Sequence, residues 1–311
     1  MVGIARKSTR LARQALAAAA PTRHIAPVSD REPFDRSLRR RRRDRAAPGF
    51  AAHAVLRDHI VEELVDRLAD VSRTFDDVLD LGCADGALGR RLAPARLVSA
   101  DAGYGFARAA GGVQCDEDRL PFADASFDLI VSAGVLDAVN DLPGTLTLAR
   151  RLLRPDGLFL AGFVGGGSLP RLRSAVLAAD MAVGAGASPH VHPMVDLRAA
   201  ADLLVRAGLN LTVTDGARLT LRYGSLGGLL DDLRGAGASN ILRTRARAPL
   251  TKAWLDAAAE AFAAQADPDG RISEQFELIY LTGWSPSADQ PKPARRGSAT
   301  HSLAEALKLK R

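Results

Sequence analysis

The sequence predicts an α/β fold, a mostly parallel sheet with helices on both faces, and two observations lead to it. Between residues 77 and 163, short apolar runs alternate with amphipathic stretches, which is typical of parallel strands joined by crossover helices. The first apolar run also leads into a glycine-rich turn, "VLDLGCADGALG" (Val78 to Gly89). Such a turn brings the backbone close to a ligand, and the helix after it directs N–H groups at that ligand.

Two helices are predicted before the first strand. The arginine-rich "RSLRRRRRDRAA" (Arg36 to Ala47) favours a helix, and "AVLRDHIVEELVDRLADV" places Ile60, Leu64 and Leu68 on one helical face. The strands that follow are predicted at 77–81, 97–100, 113–115, 127–132 and 157–163, with helices near 86–93, 103–110 and 141–153.

After residue 163 the alternation changes. Helical stretches within 168–207 and 225–264 predict a cap over the sheet. The segments "LNLTVTD" and "LTLRY" predict two strands, and "FELIYLTGW" (Phe276 to Trp284) predicts the last one. The folded domain is therefore expected over residues 33–284.

Positive charge is concentrated at the two ends of the chain. Residues 1–50 contain 13 Lys and Arg against 4 Asp and Glu, residues 292–311 contain 6 against 1, and the segment between them contains 23 against 31. An acidic folded region argues against a nucleic-acid enzyme, which presents a basic folded surface. Residues 285–311 are expected to be a disordered basic tail, and residues 1–32 either such a tail or a targeting segment.

No run of eighteen apolar residues occurs, so no membrane-spanning helix is expected. Cys83 and Cys115 lie in or beside apolar runs and are expected to be reduced packing residues. This favours the cytoplasm of a bacterium, with the mitochondrial matrix as the alternative. The run Arg39 to Arg43 is expected to pair with core carboxylates; RNA, an anionic lipid surface at the membrane periphery and an acidic partner are its other possible targets.

The glycines of the turn are Gly82, Gly86 and Gly89, which do not fit the G-x-G-x-x-G spacing of dinucleotide sites. A G-x-x-x-G spacing after the acidic Asp80 fits S-adenosylmethionine better. Ala84 stands at a central position where glycine is common, and its methyl group costs little if the backbone φ there is negative. Taken alone, the loop is equally compatible with a plain β-turn-α connection that binds nothing.

Two further carboxylates favour the cofactor hypothesis. Asp101 ends the second predicted strand, where an acid can accept both hydroxyls of a ribose. Asp116 follows the third strand, where an acid can accept the amino group of adenine while a neighbouring backbone N–H meets a ring nitrogen. Acids at the ends of successive parallel strands meet at one edge of the sheet, where ligands of open α/β sheets bind.

The segments "VLDLGCADG", "DEDRLPFADASFDLIVSAGVL" and "LLRPDGLFLAGF" resemble class I S-adenosylmethionine-dependent methyltransferases. The segments "FDRSLRRRRRDRAA", "AVNDLPGTL", "GASPHVHPMVDLR", "LLDDLRGAGASN" and "YLTGW" resemble a narrower family, that of the mitochondrial complex I assembly factor that acts on arginine. That family has alphaproteobacterial members and is related to the malonyl-carrier-protein methyltransferase of biotin synthesis. The resemblance covers roughly residues 33–284.

The resemblance implies a Rossmann-like, seven-stranded, mostly parallel sheet and S-adenosylmethionine as the cofactor. It also implies an enzyme that hydroxylates or methylates an arginine, with the iron–sulfur subunit of complex I or its precursor as the partner. The residues expected to form the cofactor site are Asp80, Gly82, Ala84, Gly86, Asp101, Asp116, Glu117 and Ser132.

Asp137, His190 and Tyr223 are the candidates for the substrate site. Family members tend to carry "LHWVND" where this chain has "LDAVND", so Asp137 and Ala138 replace a histidine and a tryptophan beside the expected sulfonium. A carboxylate at position 137 suits a guanidinium, or it caps the short helix that leads to Asn140. His190 is expected to line the substrate mouth. Tyr223 either faces the substrate cleft or is an ordinary tyrosine at a strand end.

His190, His192 and Asp196 in "HVHPMVD" could form a facial triad for iron, which would suit a hydroxylase. Residues two apart in an extended loop point to opposite sides, so no metal is expected. Two other functions remain open. One is methyl transfer to a small molecule or a carrier-protein-bound acid enclosed by the cap, and the other is a non-catalytic assembly chaperone that keeps the fold.

Overall fold

The computed structural model describes residues 32–291 except 185 and 187. The strands, which form one sheet, are β1 (Asp77–Leu81), β2 (Arg96–Asp101), β3 (Val113–Gln114), β4 (Phe127–Ala133), β5 (Leu153–Val164), β6 (Asn210–Tyr223) and β7 (Ile272–Trp284). The α-helices are α1 (Arg36–Ala46), α2 (Val55–Ala69), α3 (Ala87–Leu92), α4 (Tyr104–Ala109), α5 (Leu142–Leu152), α6 (Pro170–Ala182), α7 (Leu197–Arg206), α8 (Leu226–Gly235) and α9 (Lys252–Ala263). Two short 3₁₀ helices span Ala47–His53 and Leu136–Ala138.

The strand order in the sheet is β3-β2-β1-β4-β5-β7-β6. β1 pairs in parallel with β2 on one side and with β4 on the other, while β7 runs antiparallel to both β5 and β6. The predicted α/β class with a seven-stranded, mostly parallel sheet is therefore confirmed. Because the chain moves outward from β1 to β3 and then returns to β4, the carboxyl ends of β1 and β4 flank a switch point, where such sheets bind ligands.

Most predicted elements agree closely with the structure, but three strands differ. β7 begins at Ile272, four residues before its predicted start at Phe276. The sequence predicts two strands in the segment that forms β6, and the structure has one, because pairing with β7 continues through Gly216, which lies opposite Ile279. β5 begins at Leu153, before the "RPDG" turn, since Leu153 already pairs with Phe127 ahead of a shift in register. In β5 and β6, pairing with a neighbouring strand overrides the local preference of Gly, Pro and Asp for turns.

Helices cover both faces of the sheet. On one face α5 and α7 bury Leu146 and Leu204 in a cluster with Phe159 of β5. On the other face α2 buries Ile60 in a cluster with Leu129 of β4. Alternate strand residues enter the two clusters, as the period of two in a strand requires.

A cap of α6, α8 and α9 lies at the edge where β5 and β6 end and β7 begins. Its core contains Leu172, Leu229, Trp254 and Phe262, packed together with Phe276 of β7. α7 falls within the range that the sequence assigns to the cap, but it packs on the sheet because its apolar stripe faces the strands.

The first residues after β7, expected to begin a disordered tail, are instead held on the sheet. The Ser285 N–H donates to the Gly157 carbonyl at 2.8 Å, and the Gln290 side chain donates to the Ser285 carbonyl at 2.8 Å. The predictions for residues 1–31 and 292–311 lie outside the described residues. In the part of the chain that the structure describes, no helix is both long and apolar enough to cross a membrane.

Candidate functional site

The glycine-rich turn after β1 has a backbone that only small residues tolerate. Gly82 and Gly86 both adopt φ +75°, and a Cβ at Gly82 would overlap the Val135 side chain. Ala84 adopts φ +47°, so the condition for a low-cost alanine, a negative φ, is not met. A left-handed conformation costs a non-glycine residue about 1–2 kcal/mol. The Ala84 methyl group is buried in a cluster with Phe50 and Phe106, which offsets part of that cost.

Asp80 lies near the end of β1 with 1% of its surface exposed. One of its carboxylate oxygens accepts the Gly89 N–H at 3.2 Å. Burial, reinforced by the nearby negative charge of Asp101, raises the pKa of Asp80 to about 7. The carboxyl can therefore gain or lose a proton near neutral pH, or bind a cation that favours its charged form.

Asp101 ends β2 and is fully buried. It accepts the Ala84 N–H at 3.0 Å and the Gly103 N–H at 2.7 Å, which ties the turn after β1 to the end of β2. Arg43 of α1 adds two hydrogen bonds, from Nε at 2.7 Å and from Nη2 at 2.5 Å. The acid predicted to accept the ribose hydroxyls is thus bound by a guanidinium in this structure.

The two acids after β3 are held in the same way. Asp116 accepts Nη2 of Arg40 at 2.6 Å, and Glu117 accepts Nη1 and Nη2 of Arg39 at 2.5 and 2.8 Å. Asp116 and Glu117 are both buried. The expectation that the arginine run pairs with core carboxylates is confirmed, because all three pairs join α1 to the carboxyl edge of the sheet.

Ser132 lies in β4 and is completely buried. Within residues 32–291 as described, its hydroxyl has no hydrogen-bond partner. A buried hydroxyl without a partner is unfavourable, so it is a polar atom that a ligand could satisfy. With the left-handed glycines and the strand-end acids, it gives this edge the groups that a nucleoside with a charged tail needs.

A cavity of about 410 Å³ opens beneath the cap. Its walls are mostly apolar, with Leu172, Leu230 and Trp254 among the residues that line it. Asp137, from the 3₁₀ helix Leu136–Ala138 that follows β4, also lines it. We call the carboxyl ends of β1 to β3, with Asp80, Asp101, Asp116 and Glu117, the cofactor edge. Since β4 ends at the switch point, Asp137 places a carboxylate between this edge and the cap.

Burial raises the pKa of Asp137 to about 6, although the positive charges of Arg39 and Arg43 pull it the other way. Among the described residues, no arginine, lysine or histidine lies within ion-pair distance of its carboxylate. The alternative role, a cap on the short helix that leads to Asn140, does not hold, because Asp137 lies inside the 3₁₀ helix Leu136–Ala138 and Val135 occupies its N-cap position. Asp137 is therefore an acceptor without a cation in a partly enclosed site.

His190 lines the same cavity. Its Nε2 lies 2.9 and 3.1 Å from the two carboxylate oxygens of Asp180, and its ring packs against Trp254 at a tilt of 39° with centroids 4.9 Å apart. Asp180 also accepts the Trp254 indole N–H at 2.7 Å and the Ser188 N–H at 2.9 Å. Burial acts to raise the pKa of Asp180, but these donors outweigh it and hold that pKa below its ordinary value.

His192 lines the same cavity, but it and Asp196 do not form a triad with His190. His192 accepts the Ile241 N–H at 2.9 Å through Nε2, and burial together with nearby arginines lowers its pKa to about 4. Asp196 caps α7 by accepting the Ala199 N–H. Tyr223 is buried in the core of the cap and is not among the cavity residues. In the described part of the chain, no three His, Cys, Asp or Glu side chains form a group that could hold a metal ion.

Sequence reasoning missed three contributions to the site. It did not assign Asp180 to His190, and it did not connect individual arginines of α1 to individual acids. It also missed Arg42 and Arg245, which both line the cavity and donate to the backbone carbonyls of Asn240 and Leu242. The helical spacing of the arginines was visible in the sequence, but their partners lie far away along the chain.

Similarity to known proteins agrees with this geometry. A family model described as a methyltransferase domain matches residues 52–213. The arginine-hydroxylase NDUFAF5 of Danio rerio is 33% identical over 288 residues, which cover 89% of this chain and 90% of that protein. The malonyl-[acyl-carrier protein] O-methyltransferase of Xylella fastidiosa is 30% identical, with 82% of this chain and 90% of that protein covered. The YcgJ structure from Bacillus aligns with a TM-score of 0.52 at 17% identity over 73% of this chain and 99% of that one, which shows the fold.

The sheet order, the turn after β1 and the strand-end acids define a methyltransferase-fold enzyme of class I, and its cofactor is S-adenosylmethionine. Within that class, the chain belongs to the family of the arginine-hydroxylase NDUFAF5. The malonyl-carrier-protein methyltransferases are relatives at slightly lower identity.

Proposed function

We propose that the chain modifies an arginine side chain of a protein partner, the iron–sulfur subunit of respiratory complex I or its precursor, during assembly of that complex. The similarity to arginine-hydroxylases over most of both chains supports this target. The site would operate in the bacterial cytoplasm, or in the matrix if the chain is mitochondrial, as its NDUFAF5 relatives are named.

The observation that carries the proposal is the Asp137 carboxylate in the cavity beneath the cap. A guanidinium can donate two parallel hydrogen bonds to such a carboxylate, which fixes the plane and the distance of the arginine head. Asp137 must be ionised to accept both bonds. Because burial raises its pKa to about 6, binding of an arginine should strengthen as the pH rises from about 5 to about 7.

The neighbouring residues have distinct roles in this arrangement. S-adenosylmethionine supplies an activated methyl group when it is bound. The Asp180 carboxylate accepts, so Nε2 of His190 carries the proton that points at it, and in the tautomer with one ring proton Nδ1 is the acceptor. His190 would take a proton from an N–H group in the cavity through Nδ1, while Asp180 fixes the ring. The apolar walls around Trp254 would exclude water from the reacting group.

The test is the intact mass of the iron–sulfur subunit after co-expression with this chain. A gain of one oxygen identifies hydroxylation and a gain of one methylene identifies methyl transfer, and peptide mapping should place either on an arginine. The Asp137→Asn variant should reduce the modification, and Asp124→Asn, which changes an exposed acid paired with Arg151, should not. An unmodified subunit beside the wild-type chain would reject this target.

A second function, methyl transfer to an acid, is favoured by Arg42 and Arg245. Both line the cavity, and burial together with the charge of Arg245 lowers the pKa of Arg42. The two guanidiniums repel each other, Asp35 at 3.8 Å from Arg245 relieves this only in part, and a substrate carboxylate between them would reduce the repulsion further. The apolar walls of the cavity would then hold the rest of an acid such as the malonyl group that names the carrier-protein relatives.

Transfer of labelled methyl from S-adenosylmethionine to a malonyl carrier protein tests this second function. Arg245→Ala should then raise the KM for the acid, because a carboxylate loses one charged partner. Arg247→Ala, a change in the same exposed loop, is the matched control. If labelled methyl appears on arginine and none on the acid, the second function is wrong.

A further inference from the structure

The arginines of α1 meet the acids of the cofactor edge in order along the helix. Arg43 binds Asp101 of β2, whereas Arg39 and Arg40 bind the two acids that follow β3. Residues 39, 40 and 43 of a helix lie on one face, since residues three and four apart are neighbours. One face of α1 is thus complementary in charge to the ribose and adenine end of the cofactor edge.

Asp101 has no acceptor position left in this arrangement. Its Oδ1 accepts the Gly103 N–H and Nε of Arg43, and its Oδ2 accepts the Ala84 N–H and Nη2 of Arg43. An ionised carboxylate offers about four acceptor sites, and Asp101 is fully buried. Two ribose hydroxyls therefore cannot bind to it until the Arg43 guanidinium leaves.

We propose that α1 is a gate on the cofactor cleft, closed by Arg43, so that S-adenosylmethionine and α1 compete for the Asp101 carboxylate. The proposal rests on the cofactor assignment made above. In the closed state Arg43 occupies the ribose acceptor and Arg39 holds Glu117 beside it. In the open state the ribose hydroxyls replace the guanidinium, and the arginine face of α1 turns to solvent.

The energetics allow such an opening. The contact of α1 with the cofactor edge is mainly ionic, and a buried ion pair contributes little net stability because both charges lose hydration. The apolar part of the contact is small, with Ala46 in a cluster with Phe50 and Phe106. On opening, the arginines regain water and Asp101 receives hydroxyl donors, whereas Glu117, which is buried, loses its Arg39 partner and has to be reached by water in its place.

The gate also connects the cofactor edge with the cap. Arg42, next to Arg43, donates to the Asn240 carbonyl, and both Arg42 and Asn240 line the cavity beneath the cap. The start of the α1 segment is fixed to the same loop, because the Asp35 N–H donates to the Ile241 carbonyl at 2.9 Å. Movement of Arg43 away from Asp101 would therefore move a wall of the substrate cavity.

Calorimetry with S-adenosylhomocysteine, a stable product of the cofactor, tests the gate. Arg43→Ala should bind S-adenosylhomocysteine about tenfold or more tightly than the wild type does, because the ribose hydroxyls no longer have to displace a guanidinium from Asp101. Arg41→Ala, on the exposed side of the same helix, should bind as the wild type does. Equal or weaker binding by Arg43→Ala, with binding by the wild type retained, would overturn the gate and leave the cofactor assignment intact.

Hydrogen exchange on the wild-type chain gives a readout that does not depend on how well the variant folds. Amides of Arg36–Ala46 should exchange faster when S-adenosylhomocysteine is added, while amides of β1 and β4 should be protected. Slower exchange in α1 on addition would mean that the helix closes over the ligand, which contradicts the competition. If neither the wild type nor Arg43→Ala binds the ligand, the cofactor assignment fails and the gate fails with it.

Discussion

Replacement of Asp80 by Asn tests the electrostatics of the cofactor edge. Asp80 is buried at the end of β1, and burial raises its pKa to about 7 from the ordinary value of 3.8. An acid with a raised pKa favours the folded state only while it is protonated. Its contribution is therefore most favourable at low pH and is lost as the pH rises from about 4 to about 7, whereas the amide of the variant does not titrate.

The magnitude follows from the two pKa values. Between pH 5 and pH 8, a folded pKa of about 7 against 3.8 unfolded lowers the free energy of unfolding by about 2.5 kcal/mol as an upper bound. The Asn side chain keeps an acceptor for the Gly89 N–H. Its additional N–H groups have a constant cost that is the same at both pH values, so this cost cancels from the difference.

The measurement is urea unfolding of the wild type and the variant at pH 5 and pH 8. We expect the variant to gain about 2–2.5 kcal/mol relative to the wild type between the two pH values. Asp202→Asn, an exposed change on α7, should follow the wild type at both. If the Asp80→Asn curve runs parallel to the wild type, the Asp80 carboxyl is already ionised at pH 5, and the reasoning from its burial is refuted.

Two further substitutions test the neighbouring groups. Asp137→Asn should raise the free energy of unfolding at pH 8 by about 1–2 kcal/mol and leave it nearly unchanged at pH 4. The reason is that burial raises the pKa of Asp137 to about 6, so its carboxyl destabilises the folded state only when it is ionised. Equal effects at both pH values would contradict this. Gly82→Ala should lower the free energy of unfolding by about 2–4 kcal/mol, since its Cβ would overlap the Val135 side chain at φ +75°. The control is Gly227→Ala on the exposed side of α8, where the added methyl group has room. A similar melting temperature for both variants would show that the turn after β1 can relax to accept a Cβ at position 82.

The local sequence pattern was sufficient to predict those parts of the fold that depend on residues close together in the chain. The limits of β1 and the helices on either side of it follow from apolar periodicity and glycine placement. Asp101 and Asp116 could be placed at one edge from the sequence, because parallel strands end on the same side of a sheet. Asp137 could be placed near them for the same reason, as it follows β4.

Contacts between distant segments decided what those residues do. Ala84 adopts a left-handed backbone conformation because the turn directs its N–H at Asp101. The sequence around Ala84 does not reveal this contact. His190 has an oriented ring only because α6 brings Asp180 beside it. The single strand β6 exists because β7 supplies a pairing partner from Val213 to Tyr223 without a break.

The sequence by itself determined the fold class, the glycine-rich turn and the acids at the strand ends, since each of these depends on periodicity and spacing within short segments. Only the tertiary structure decided that the arginines of α1 bind those acids, with Arg43 on Asp101 and Arg39 on Glu117. Ion pairing depends on distance in space, and a run of five arginines beside an acidic domain allows many pairings of similar charge. The folded backbone brings one face of α1 to the carboxyl edge of the sheet, and burial there makes each pairing specific.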